Sequence, residues 1–323
     1  MKNAQGSTLG PTLADTVGNT PLVRLDRLAQ GRDVSIWAKL EYFNPGGSAK
    51  DRTATAMVEA AIADGSLRPG DTVVESSSGN LGVAMARQAA LGGWTFHCVV
   101  DPRANKATVA HMEALGAVVH MLDRPDPETG DWLTARRAEV ARLLEEIDGA
   151  ICLDQYSNEA AFTAHSAGTM REIHEQLGTA PDYLLVAVST TGTIGGCLRY
   201  IREHDLPTTV IAVDAEWSVL FQGARGERHL PGFGAGVVPK LSESVTPDRV
   251  LRIPDRASVE GARRLARTEA ILPGASGGAV IAGVDKLLEE EVEQGATIVV
   301  ILHDGGPAYL DTIYNDDWVE QNL

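Results

Sequence analysis

Asn44-Pro45-Gly46-Gly47-Ser48-Ala49-Lys50-Asp51-Arg52 joins an apolar run at 36–40 to a helical pattern at 53–63. A lysine at a glycine-rich junction of this kind has three readings. It can hold a phosphate, form a Schiff base, or sit in solvent on the surface. A phosphate loop needs Gly-Lys followed by Ser or Thr. Here Ser-Ala-Lys is followed by Asp51, so that reading fails. A surface lysine is the ordinary case by frequency, and the rest of the chain argues against it.

Three further segments share the strand-loop-helix grammar. They are Val73-Val74-Glu75-Ser76-Ser77-Ser78-Gly79-Asn80-Leu81-Gly82, Val186-Ala187-Val188-Ser189-Thr190-Thr191-Gly192-Thr193-Ile194-Gly195-Gly196, and Leu272-Pro273-Gly274-Ala275-Ser276-Gly277-Gly278. Each is weak alone. With Lys50, in this order and at these separations, they resemble the cysteine synthase and cystathionine β-synthase family of pyridoxal-phosphate enzymes of fold type II. The resemblance covers about residues 16–320.

The chain has 323 residues, enough for about two domains' worth of core. Its 44% hydrophobic and 22% charged residues are those of a globular protein. The net charge of −16 disfavours nucleic acid and acidic membrane surfaces as partners. It leaves room for anionic substrates in a locally basic pocket. Cys98, Cys152 and Cys197 are far apart and lack metal-ligand spacing. The first and last of these read as small buried hydrophobes. An odd cysteine count and no secretory signal lead us to expect a cytoplasmic protein. Residues 1–11 read as a small, polar, flexible segment, and no apolar stretch is long enough to span a membrane.

Apolar runs at 35–40, 72–75, 95–100, 117–121, 183–188, 210–214 and 297–302 read as strands buried on both faces of parallel sheets. Helical patterns at 53–63, 80–90, 106–115, 134–146, 169–177, 193–203, 259–268 and 279–291 alternate with them. The alternation predicts a doubly wound α/β architecture. By the resemblance, two interleaved α/β domains share the chain. Residues 50–156 form the smaller, mobile one. Residues 1–49 and 157–323 form the larger, with the cofactor in the cleft.

The resemblance makes Lys50 the lysine that binds pyridoxal phosphate and moves the α-proton. It makes Ser189, Thr190, Thr191, Gly192 and Thr193 the phosphate cradle. Backbone N–H groups and the positive end of the following helix suit a dianion there. The family's usual Gly-Thr-Gly-Gly-Thr is altered at Ser189 and Thr191. Taken alone, such a loop would read as a helix cap. Ser276 matches the partner of the ring nitrogen, and Asn80 the contact to the ring hydroxyl. Ser77, Ser78, Gly79 and Asn80 match the loop that grips the substrate carboxylate, and Gln155 matches a second contact to it. Leu81 and Glu159 depart from the family's threonine and proline.

Gly274-Ala275-Ser276-Gly277-Gly278 also fits the G-x-S-x-G elbow of α/β-hydrolases. That competing reading needs His303 as the histidine. It also needs an acid from Asp285 or from Glu289, Glu290 and Glu291.

The departures, taken with residues 40–44 and 313–318, resemble the branch that makes N-(2-amino-2-carboxyethyl)-L-glutamate. Its substrates are O-phospho-L-serine and L-glutamate, and its product leads to 2,3-diaminopropionate for siderophores and peptide antibiotics. In that match Arg136, Tyr156 and Ser189 lie on the substrate side, with Arg136 meeting the phosphate. Without the match, Arg136 reads as a solvated helix charge beside Arg137 and Glu139. Arg225 and Arg228, near residues 232–236, are weak candidates for the acceptor's carboxylates. A homodimer is the family expectation. A cysteine synthase using sulfide with phosphoserine or acetylserine is the alternative.

Overall fold

The computed structural model describes residues 12–290 and 292–323. The segment 1–11 and Glu291, at the end of the last long helical pattern, lie outside the described residues.

Among the described residues nine strands make two sheets. The larger runs in the order β1 (Leu22–Arg24), β2 (Val34–Leu40), β9 (Ala296–Leu302), β6 (Tyr183–Ala187), β7 (Thr209–Ala215) and β8 (Arg249–Ile253). All its pairings are parallel except β1 with β2. The smaller is the parallel sheet β3 (Thr72–Ser76), β4 (Thr95–Val100) and β5 (Val118–Met121). The helices are α1 (Lys50–Ala63), α2 (Asn80–Gly92), α3 (Lys106–Ala114), α4 (Trp132–Glu146), α5 (Ala160–Ala164), α6 (Arg171–Leu177), α7 (Gly192–Glu203), α8 (Asp255–Glu269), α9 (Ala275–Leu288) and α10 (Asp316–Asn322). A π-helical stretch, His165–Met170, joins α5 to α6. This is the mixed α/β fold that the alternation predicted.

The strands are apolar on both faces because both are covered. Ile298, Val300 and Leu302 of β9 enter one core with Ala279, Ile281 and Val284 of α9. Val299 and Ile301 enter another with Ile194, Cys197 and Leu198 of α7. The small sheet is covered in the same way. Val73, Phe96 and Cys98 share a core with Ala54 and Val58 of α1 and Met85 of α2, while Val74 and Val99 meet Val140 and Leu143 of α4. Among the described residues no helix is long and apolar enough to cross a membrane.

Several elements differ from the sequence expectation. Strands β1 and β8 were not expected. The first has three residues, and Arg249-Val250-Leu251-Arg252-Ile253 is broken by two arginines. The helix expected at 53–63 begins at Lys50, because the Asp51 carboxylate accepts from the Gly46 N–H at 3.0 Å and fixes the turn. The pattern at 169–177 starts inside the π-helix. The last long helix ends at Leu288.

The run at 36–40 contains a buried charge. Lys39 is fully buried, and its Nζ donates to Thr20 O (2.7 Å), Glu172 Oε2 (2.7 Å) and Gln176 Oε1 (3.0 Å). Arg52 is buried beside it and forks onto two carboxylates. Its Nε and Nη2 reach Glu41 at 2.7 and 2.9 Å, and its Nη1 and Nη2 reach Glu172 at 2.7 Å each. Two cations and two anions therefore neutralise one another out of water. Burial pushes the Glu172 carboxyl up, but Arg52 and Lys39 more than offset this and hold it at about 2. That stabilisation is present above the ordinary value of 4.5 and is lost as the pH falls toward 2.

Removing one member leaves a buried charge unpaired, which costs about 3–5 kcal/mol. We therefore expect Arg52→Met to lower the urea midpoint sharply. Arg24→Met, at the exposed Arg24–Asp26 pair, should shift stability by no more than about 1 kcal/mol. Equal midpoints for the two variants would show that the network is not stabilising.

Candidate active site

The loops after β2, β3, β6 and β9 meet at the carboxyl ends of the strands. Open α/β sheets bind ligands there, where the strand order switches. Strand β9 is the last in the chain, yet it lies between β2 and β6. Its end therefore reaches the Lys50 loop. Ala49 N donates to His303 O at 2.8 Å, and Ser48 bridges to Asp304. On the other side Gly274 N donates to Asp304 O at 3.0 Å, just before α9 and Ser276. A Cβ at Gly274 would collide with Asp304 Oδ1, so only glycine allows this approach.

Asp304 joins the parts of the site, and the sequence reading missed it. Its Oδ2 accepts from Asn80 Nδ2 at 2.8 Å and from Tyr309 Oη at 2.6 Å, while Oδ1 is buried without a partner. Burial raises its pKa despite these donors. Lys50 is the first residue of α1 and half-buried. Burial lowers its pKa, and the Asp304 carboxylate opposes that shift. The loop Leu302-His303-Asp304-Gly305 offers no motif that would have flagged it. Only the β9 insertion reveals its position.

Asn80 opens α2, and Gly79 is its N-cap. Ser77 Oγ accepts from Gly82 N at 2.9 Å, which ties the loop to the first turn of the helix. Gln155 Nε2 donates to Ser76 O at 3.0 Å and so lies behind the same loop. Arg136, on α4, is 7% exposed, which overturns the reading of a solvated helix charge. Its Nη1 donates to Ser78 Oγ at 3.0 Å, and its Nε lies 3.3 Å from Asp101 Oδ2. Tyr156 is half-buried under the Arg137 guanidinium. Burial raises its pKa, and Arg136 opposes that.

Thr191 caps α7 with φ +67° and is buried, and its Oγ1 has no partner among the described residues. The first four N–H groups of a helix have no intrahelical acceptor. An orphaned hydroxyl beside them fits a phosphate. Thr193 Oγ1 is 3.3 Å from His165 Nε2, and Thr53 Oγ1 is 3.2 Å from the same atom. His165 thus links the loop 189–193 to the helix that carries Lys50. Burial holds its ring neutral. Ser189 Oγ donates to Gly234 O at 3.0 Å, and Thr190 is half-buried beside it. A half-buried lysine, an orphaned buried hydroxyl at Thr191 and an N–H-rich helix end together fit pyridoxal phosphate.

Among the described residues the hydrolase constellation is not assembled. Ser276 is the second residue of α9, and both ring nitrogens of His303 are buried without a partner. Burial, helped by Lys50, lowers the His303 pKa to about 3, so the ring is neutral. Asp285 pairs with Arg264 and Glu290 with Arg249.

Fold and site define a fold-type II α/β enzyme. The match to the pyridoxal-phosphate dependent enzyme family spans residues 13–304, and the chain belongs to that family. It is a pyridoxal-phosphate enzyme of the β-replacement type. A solved O-ureido-L-serine synthase is similar to it, with 30% identity and a TM-score of 0.87 over 97% of this chain and 100% of that one. An O-acetylserine dependent cystathionine β-synthase from Helicobacter pylori shares 27% identity, with a TM-score of 0.86 over 96% and 100%. A hydrogen sulfide-producing enzyme from Fusobacterium nucleatum shares 27%, with a TM-score of 0.86 over 94% and 100%.

If the Asp304 carboxylate sustains the charge on Lys50, Asp304→Asn should lower the Lys50 pKa further. In cofactor-free protein the labelling of Lys50 by an amine reagent should then reach half-maximum at lower pH. An unchanged midpoint would uncouple the two groups.

Proposed function

We propose that this enzyme joins O-phospho-L-serine and L-glutamate into N-(2-amino-2-carboxyethyl)-L-glutamate with release of phosphate. The product would feed 2,3-diaminopropionate biosynthesis, and the working assembly would be a homodimer. The observation that carries the reading is Arg136. It is a buried guanidinium of α4 that donates to Ser78 on the carboxylate-gripping loop, where its fork suits the dianion expelled from phosphoserine more than the monoanion expelled from acetylserine.

Bound in the cleft, pyridoxal phosphate supplies the electron sink for β-elimination and β-replacement. Lys50 would hold it, Ser189 to Thr193 would cradle its phosphate, Asn80 would meet its ring hydroxyl, and Ser276 its ring nitrogen. A hydroxyl rather than a carboxylate at Ser276 leaves that nitrogen largely unprotonated, which favours β-chemistry over transamination. The remaining work belongs to the protein. The α2 N-terminus with Ser77, Ser78 and Gly79 orients the donor's α-carboxylate. Gln155 is a second contact to it, and Tyr156 and Ser189 line the substrate side. Burial favours the neutral amine of Lys50, which can take the α-proton and return it. Arg136 stabilises the departing phosphate, since its fork matches phosphate oxygens.

The direct test is incubation of the holoenzyme with phosphoserine or acetylserine, each with glutamate or sulfide, followed by mass spectrometry. Phosphoserine with glutamate should give the coupled product plus phosphate. Cysteine as the sole product would establish the cysteine synthase alternative instead.

Arg136→Ala should leave the cofactor bound and reduce phosphate release from phosphoserine. Losing a buried charge-assisted contact costs about 1.5–3 kcal/mol, or roughly a tenfold to hundredfold loss of kcat/KM. Wild-type phosphate release in the variant would remove the argument for a phosphorylated donor.

A further inference from the structure

Arg228 lies between β7 and β8, and its guanidinium is laid over the loop 232–236. Its Nη1 donates to Phe233 O at 3.0 Å. A Cβ at Gly234 would stand 3.2 Å from Nη1, and one at Gly236 would stand 3.1 Å from Nη2. Gly234 also has φ +70°, so a side chain there is excluded by both conformation and space. The loop is glycine where the arginine crosses it.

That position lies between two parts of the site. On one side, Gly234 accepts from Ser189 Oγ at 3.0 Å and donates to Val188 O at 2.8 Å, which anchors it to the loop of Thr190 and Thr191. On the other side, a Cβ at Gly236 would lie 4.0 Å from the Asp131 carboxylate. Asp131 is the N-cap of α4, five residues before Arg136.

Neighbouring Arg225 lies 3.8 Å from Asp131, whereas Arg228 has no ion pair among the described residues. Burial lowers its pKa and Arg103 adds to that, while the carboxylates of Asp214, Asp255 and Asp131 oppose it. A half-buried guanidinium whose one hydrogen-bond acceptor among the described residues is a carbonyl, with those carboxylates beyond ion-pair reach, keeps donors free. Its free donors can serve a carboxylate in bidentate fashion.

We propose that Arg228 is a specificity-determining residue that binds a carboxylate of the amine-bearing acceptor, selecting a dicarboxylic amino acid over an uncharged nucleophile. This rests on the function proposed above. Arg136 serves the donor's leaving group and Arg228 the acceptor, so the two substrates engage different arginines.

The test compares Arg228→Met and Arg228→Lys with the wild-type holoenzyme. Phosphoserine is the donor, and glutamate, aspartate and sulfide are the acceptors. In Arg228→Met the KM for glutamate should rise at least tenfold more than phosphate release from phosphoserine alone changes. Arg228→Lys, which keeps the charge but not the fork, should fall between the two. If wild type prefers aspartate and Arg228→Met loses that, Arg228 keeps its role and only the identity of the acceptor changes. If wild type uses glutamate and the Met variant keeps its KM, Arg228 is overturned and the proposed function stands. Parallel losses for all acceptors and for phosphate release would make Arg228 structural and overturn the proposal. Wild type that couples only sulfide overturns both readings.

Discussion

The double fork of Arg52 is the contact on which the site depends. Lys50 stands two residues away, on the first turn of α1. That turn has no side-chain cap of its own at Ala49. Its position is set by Arg52, which grips Glu41 after β2 and Glu172 on α6 in one plane. The fork joins the approach to the lysine to two elements of the larger sheet's layer. Close packing leaves no slack around it. A Cβ on Gly168 would stand 2.7 Å from Arg52 Nη1, and one on Gly18 would stand 3.0 Å from it. Glu172 also receives Lys39, so its charge is shared between two cations. Each ion is buried at a cost that only the others offset, and the group must therefore form together or not at all.

The second constraint is the insertion of β9 at the centre of the sheet. Local grammar gave most of the strands, because parallel strands covered on both faces are continuous apolar runs. Pairing order is not local. Leu40 and Leu302 are register partners although 262 residues separate them. That pairing puts Asp304 against Ser48 and Gly274. The motifs around Lys50, Asn80, Thr191 and Ser276 were legible because each sits on a strand-to-helix turn with an unusual density of Gly, Ser and Thr. Asp304 and His165 were not, since each is a single polar residue in an unremarkable segment. The salt-bridge network was hidden for the same reason. Lys39 looked like part of an apolar run, and Glu172, 133 residues later, is what makes its burial tolerable.

Arg136 shows where local reading misleads in the opposite direction. The segment Thr134-Ala135-Arg136-Arg137-Ala138-Glu139 has the composition of a solvated face. Consecutive residues on a helix point about 100° apart, so of two adjacent arginines one can be buried while the other is exposed. Here the first is 7% exposed and the second lies over Tyr156. Sequence alone cannot choose between them without knowing which face of α4 meets β3 and β4. The face is fixed by Val140 and Leu143, which pack against Val74 and Val99. Arg136 stands four residues before Val140 and so falls on the same side.

These placements explain how a chain with net charge −16 can work on anions. Charges on the surface act through water and are screened within about a Debye length of 8–10 Å. Cations held in a cleft act through a medium of lower dielectric and dominate locally. Arg136 is partly balanced by Asp101, so in the proposed reaction the phosphate of the donor would meet a cation already fixed in place. Arg228 has one hydrogen bond, to a carbonyl, and its nearest carboxylates lie beyond ion-pair reach, so it keeps donors for the proposed acceptor. The difference suits the order of the proposed reaction. The donor site must stabilise charge that develops as phosphate leaves, which favours a rigid and preorganised group. The acceptor site of that reaction must recognise a charge that never changes, and for that a half-buried guanidinium with free donors is sufficient.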